Sequence, residues 1–144
     1  MTSVPQVQVT FDCADPVRVG LFWCEALGYV PSAPPDDAAT WDDAARGWGR
    51  SHPGAWFACS DPAGSRPRLY FQRVPEGKAV KNRVHLDVKV GAGLVGDDRL
   101  AVLEAECTRL TTLGATRLRL MLADEENESC LVMADVEGNE FCLD

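Results

Sequence analysis

The sequence predicts an α+β fold of two copies of one β-α-β-β-β unit, over about residues 5–75 and 80–144 of a single 1–144 domain. Three observations carry this. Two segments of alternating apolar and polar residues, Val7–Cys13 and Val84–Val90, each precede a stretch with helical spacing. Both helical stretches close on Leu-Gly, at Leu27-Gly28 and Leu113-Gly114. Both halves then end in a pair of short apolar strands joined by Asp-x-x-Gly, at Asp61–Gly64 and Asp135–Gly138. Self-similarity of this kind is the signature of a duplicated supersecondary unit.

In the first strand Val7, Val9 and Phe11 alternate with Gln8, Thr10 and Asp12, the period of a strand with one buried face. Asp15 is a candidate helix N-cap and Pro16 suits the first helical position, where a missing N–H costs nothing. Val19, Phe22, Trp23, Ala26 and Leu27 then form one apolar stripe, and Gly28 supplies a left-handed stop. Pro31–Pro53 is irregular, broken by Pro-Ser-Ala-Pro-Pro-Asp-Asp, with room for a short helix or strand over Ala38–Trp48 carrying Trp41 and Trp48. A loop of that length suggests a lid, a pocket wall or packing over a sheet edge. Strands follow at Trp56–Cys59 and Arg68–Gln72, about a turn in which Asp61 bonds the backbone and Gly64 takes positive φ.

In the second half Val84, Leu86, Val88 and Val90 alternate with His85, Asp87 and Lys89. A glycine-rich loop (Gly91, Gly93, Gly96) leads to a helix capped by Asp97 or Asp98, with Leu100, Leu103, Ala105, Cys107 and Leu110 on its apolar side. Strands Leu131–Ala134 and Glu140–Leu143 flank the second Asp-x-x-Gly turn.

Composition narrows the function classes. With 22 acidic and 14 basic residues the net charge is −8, which disfavours nucleic acid and anionic membrane surfaces as partners. No apolar run approaches the ~18 residues of a membrane span. The first residues lack a basic stretch and an apolar core of the export type, so the expected location is cytoplasmic. Six cysteines, none in a C-x-x-C pair, are expected to be reduced, five of them as packing residues. Gly91–Gly96 has dinucleotide-fold glycine spacing, but the two aspartates that follow make it a chance match.

Val9–Pro16, Pro67–Pro75 (PRLYFQRVP), Lys81–Val88 (KNRVHLDV) and Val136–Leu143 (VEGNEFCL), within the paired β-α-β-β-β pattern, resemble the glyoxalase/bleomycin-resistance/dioxygenase, or vicinal oxygen chelate, superfamily. Within it the chain is similar to glyoxalase-like proteins of actinobacterial type. The resemblance implies a curved mixed sheet around a cavity with helices outside, and often a homodimer. It also implies, for the enzymes, a divalent metal held by two ligands from each unit, one on the first strand and one on the last.

Carried onto this chain, those positions fall on Gln8, Phe71 (or Tyr70 or Gln72, one residue either side), His85 and Cys142. Both carboxylates of the family pattern are missing, so the expectation is no catalytic metal; if one binds, Gln8, His85 and Cys142 are its ligands. The cavity face then offers Gln8, Thr10, Trp56, Tyr70, Phe71, His85, Asp87 and Cys142 to a small organic molecule. His85 beside Asp87 is the candidate acid–base pair, because imidazole alone titrates near neutrality. The same alternation also describes a merely solvated sheet. The alternatives to binding without metal are a metal-dependent lyase, isomerase or dioxygenase using His85, and a dimeric structural or regulatory module with a collapsed cavity.

Overall fold

The computed structural model describes residues 4–35, 37–47 and 54–144. The chain divides into two compact units, Met1–Gly77 and Lys78–Asp144; unit 2 has the expected β-α-β-β-β order, and unit 1 has it with a short helix inserted after its second strand.

Unit 1 contains β1 (Gln8–Cys13), α1 (Pro16–Leu27), β2 (Val30–Pro31), α2 (Trp41–Gly47), β3 (Trp56–Ser60) and β4 (Arg68–Arg73). Its sheet runs β1-β4-β3-β2, with β1 parallel to β4 and the other pairs antiparallel. Helix α1 starts as the sequence dictates: Asp15 accepts the Arg18 amide, Pro16 occupies the first turn, and Gly28 ends the helix at φ 68°. Its stripe of Val19, Phe22, Trp23 and Ala26 is buried, with Trp23 5.4 Å from the ring of Phe11. Phe11 also stacks on Phe71 at 5.0 Å, and Phe71 meets Phe57 at 6.2 Å. One sheet face is thus an aromatic core under α1. The other face, by strand alternation, carries the polar residues.

The irregular segment does hold a short helix, α2. Thr40 caps it, its hydroxyl accepting the Asp43 amide at 3.1 Å and donating to the Asp43 carboxylate at 2.7 Å. Trp41 is anchored by its indole N–H on the Ser32 carbonyl, 3.1 Å away. Trp48, His52 and Pro53 lie outside the described residues.

Unit 2 contains β5 (Asp87–Val88), α3 (Gly96–Thr112), β6 (Thr116–Met121), β7 (Cys130–Ala134) and β8 (Glu140–Leu143), in a sheet ordered β5-β8-β7-β6. Again the first strand is parallel to the last. Leu131, Met133, Phe141 and Leu143 are buried together with Leu103, Cys107 and Leu110 of α3. Three readings of this half need correction. The strand expected over Val84–Val90 is only Asp87–Val88, because β8 offers a short ladder, and Val84 is 81% exposed. The cap of α3 is Val95, without a side-chain hydrogen bond; Asp97 and Asp98 lie in the first turn, where they still favour the helix dipole. The buried stripe contains Arg99 rather than Ala105: Arg99 donates to the carbonyls of Ser129 (2.8 Å) and Gly91 (2.9 Å) and pairs with Asp144. Those partners satisfy a guanidinium that is only 5% exposed.

The two Asp-x-x-Gly turns are built alike. Asp61 accepts the Ala63 and Ser65 amides, Asp135 those of Glu137 and Asn139, and Gly64 and Gly138 adopt positive φ. The Asp61 carboxyl is held below its usual range, first by the Ala63 amide and then by the Ser65 hydroxyl.

Candidate functional site

Strand register assembles the polar face of unit 1. In the β1–β4 ladder Gln8 pairs with Arg68, Thr10 with Tyr70 and Asp12 with Gln72; in β3–β4, Trp56 pairs with Gln72 and Ala58 with Tyr70. Gln8, Thr10, Trp56 and Tyr70 therefore share one face. Phe71 does not join them. It pairs with Phe11 and Phe57, is 0% exposed and points into the core beneath α1. Tyr70, one residue before it, occupies the position on the polar face. The slip is a single residue, and one residue along a strand exchanges its two faces. Between the turn glycine and the final strand, unit 1 has Ser65–Pro67 where unit 2 has only Asn139, a difference of two residues. Corrected for that, Arg68 and Tyr70 correspond to Glu140 and Cys142.

Four further residues, Arg68, Trp41, Asp12 and Gln72, complete this face. Arg68 donates through a terminal N–H to Gln8 Oε1 at 2.7 Å. Its guanidinium carbon sits 5.7 Å from the centre of the Trp41 ring and 5.6 Å from that of Tyr70. The two rings meet edge-on at 6.1 Å. Both distances to the cation fall in the cation–π range. At the other end of the strands, the Gln72 amide donates to Asp12 at 2.8 Å. Gln8 and Arg68 also line a groove of about 570 Å³ with Gln6, Ser60, Asp61 and Arg66. Sequence reasoning missed Arg68 and left the role of Trp41 open. The available signal was parity: Arg68 is two residues from Tyr70 on the same strand.

In unit 2, His85, Asp87 and Cys142 come together. His85 Nδ1 and Asp87 Oδ1 are 3.0 Å apart, with the side chains 40% and 42% exposed. Asp87 pairs with Cys142 across β5–β8, and one ligand atom from each of the three residues lies within 4.8 Å of the others. Burial pushes the Cys142 thiol up to about 11, helped by the neighbouring Cys130 thiol and by the negative charges of Asp87 and Asp144. Lys89, expected on the same face, is paired with Asp144. All six cysteines carry reduced thiols; four are buried, while Cys130 and Cys142 are half-buried, so Cys130 is less enclosed than a packing residue should be.

The fit to a divalent ion differs between the units. In unit 1 the Gln8 amide oxygen, the atom that would ligate, already accepts from the Arg68 cation, and no other described residue of that face apart from Asp12 offers an anionic ligand. A second positive charge there is opposed by the first. In unit 2 the donor count is sufficient: an imidazole, a carboxylate and a thiol leave a fourth position open, the arrangement of a catalytic zinc-type site. The thiol would have to surrender its proton on binding.

Among the described residues no helix is long and apolar enough to cross a membrane. A family model, the glyoxalase-like domain, matches residues 8–143. No curated protein matches the chain in sequence. Among solved structures, the chain is similar to the fosfomycin resistance protein FosX of Listeria monocytogenes, complexed with Mn(II) and 1S,2S-dihydroxypropylphosphonic acid, at TM-score 0.64 and 10% identity over 99% of this chain and 90% of that one. It is also similar to a glyoxalase/bleomycin resistance protein/dioxygenase family enzyme of Burkholderia phytofirmans PsJN, at TM-score 0.61 and 14% identity over 94% of each chain. A possible glyoxalase of Bacillus cereus gives TM-score 0.60 and 13% identity over 98% of each chain. With a family model covering nearly the whole sequence and the same fold in these neighbours, the chain belongs to the glyoxalase-like domain family.

Proposed function

We propose that this protein binds a small organic molecule on the polar sheet face of unit 1, and does so without a catalytic metal. One observation carries the reading: the family's first-strand ligand position, Gln8, is engaged by Arg68, itself stacked against Trp41 and Tyr70. Apolar rings beside a few oriented polar groups are the usual make-up of a small-molecule site. A cation held at a ligand position argues for recognition there in place of metal chemistry.

A second reading rests on the His85–Asp87–Cys142 group: a metal-dependent lyase, isomerase or dioxygenase in which a divalent ion polarises the substrate and His85 is a ligand. In that case Asp87 would hold the imidazole in position or share in ligation.

Metal analysis of protein purified without chelator or tag-bound metal separates the two, paired with thermal unfolding with and without Ni²⁺, Zn²⁺, Fe²⁺ and Mn²⁺. An ion at a hundred times its Kd would stabilise the protein by about 2.7 kcal/mol, several degrees in Tm. The expected result is sub-stoichiometric metal and no shift that depends on His85. Near-stoichiometric metal, with stabilisation lost in His85→Ala, would overturn the proposal in favour of the second reading.

A further inference from the structure

We infer that the ligand of unit 1 is an organic anion, a carboxylate or phosphonate, whose charged oxygens pair with the guanidinium of Arg68. The inference rests on the small-molecule reading above and adds its chemical class.

Among the described residues, seven other lysines and arginines form ion pairs with carboxylates of the chain itself. Arg68 forms none. Among the described residues Arg18, Lys81, Arg83 and Arg119 also lack an ion pair but are exposed, whereas Arg68 lacks one and is half-buried. Its partners are neutral: the Gln8 amide and the rings of Trp41 and Tyr70. Solvent exposure does not explain the difference, since Arg68 is half-buried while Arg46 and Arg66, both more exposed, have acidic partners. With 22 acidic residues available, a guanidinium held only by neutral groups retains its full charge for something else.

The geometry suits an oxyanion. A guanidinium presents five N–H donors in a planar fork, and one is committed to Gln8. The remaining donors match the spacing of two oxygens on one carboxylate or phosphonate, and contact with both rings, at 5.7 and 5.6 Å, limits the movement of the fork before a ligand arrives. Trp41 is itself fixed by its bond to Ser32, so little ordering remains to be done on binding. The same two residues, Gln8 and Arg68, line the groove of about 570 Å³, which has room for a small acid with an apolar body. Asp61, the carboxylate lining the same groove, is tied into its turn and faces Arg66 at 3.8 Å.

Titration calorimetry on the full chain with benzoate, phenylphosphonate and neutral benzamide tests this. Both anions should bind at least about tenfold more tightly than benzamide, the factor expected of one charge-assisted bidentate contact. Arg68→Gln should abolish that preference, whereas Arg68→Lys, which keeps the charge but not the fork, should restore part of it. The ratio between the two anions distinguishes a planar from a tetrahedral headgroup. An unchanged unfolding midpoint in Arg68→Gln establishes that the loss is local. Benzamide binding as well as the anions would overturn the anion assignment and leave the small-molecule reading standing. Absence of heat with all three probes would overturn both. Anion binding undiminished in Arg68→Gln would place the charge recognition elsewhere and sink the inference.

Discussion

Replacing Gly20 by alanine should destabilise the protein, although the same change in an open helix would do the reverse. Gly20 is buried in the middle of α1, where alanine ordinarily gains about 1 kcal/mol through backbone entropy. Here a Cβ would stand 2.0 Å from Phe57 Cδ1, 2.6 Å from Cε1 and 2.9 Å from Cγ. The ring would have to retreat by more than an ångström to reach ordinary contact. Because Cγ itself is too close, flipping the ring about its own axis does not clear the clash. Phe71, 6.2 Å away between ring centres, closes one side to its retreat. Overpacking of this kind costs about 1–3 kcal/mol. With the first contact so short the upper part of that range applies, and the net expectation is a loss of ~1–2 kcal/mol after the helix gain is subtracted. Urea denaturation should show a lower midpoint at unchanged m-value. Phe57→Leu in the same chain should recover much of the loss, giving a coupling energy of about 1 kcal/mol in the double-mutant cycle. A Gly20→Ala protein more stable than the parent would falsify the packing described between α1 and β3, and with it the placement of Phe71 in the core.

Two further outcomes follow from the groups of unit 2. The Cys142 thiol, raised to about 11, should alkylate with iodoacetamide roughly a hundredfold more slowly at pH 8 than an ordinary thiol, gaining reactivity only as the pH approaches that value; peptide mapping that finds Cys142 modified rapidly at neutral pH would contradict its burial beside Cys130. Glu140 is lowered from its ordinary value near 4.5 to about 2, first by the Asn82 amide and then by Lys78. Its folded-state value is depressed, so its contribution is complete above about 4.5 and disappears as the pH falls towards about 2. Thermal unfolding of Glu140→Gln against the parent should therefore differ most near neutrality and converge in acid. A gap that persists unchanged at pH 2 would remove Glu140 from the acid sensitivity of this unit.

The sequence made the duplicated unit legible because its signals are local: Asp15-Pro16, Leu27-Gly28 and the two Asp-x-x-Gly turns each act over a few residues. The choice between Phe71 and Tyr70 was not local. Side chains alternate with period two, so an uncertainty of one residue exchanges a core position for a site position. The register of β1 on β4, Thr10 against Tyr70 and Phe11 against Phe71, decides it. Arg99 escaped for another reason. A long basic side chain reads as a surface group unless its carbonyl partners are known, and those come from Gly91 and Ser129, the latter thirty residues away along the chain. Val84–Val90 erred in the opposite direction, since alternation alone does not guarantee a neighbour to pair with.

In each unit the opening strand lies parallel to the closing one, so Gln8 finds Arg68 sixty residues later and Asp87 finds Cys142 fifty-five residues later. Neither pairing can be nucleated by a turn, unlike the β3–β4 and β7–β8 hairpins. Loop closure of that length delays contact formation, and topologies rich in such contacts fold slowly. Sequence separation therefore predicts that the polar face bearing Gln8, Thr10 and Arg68 is assembled late, after the hairpin and α1 have found one another. Until then β4 has an unpaired edge, open to any other extended chain. During synthesis, the interval before β1 docks is when unit 1 is most exposed to strand exchange with another copy of itself.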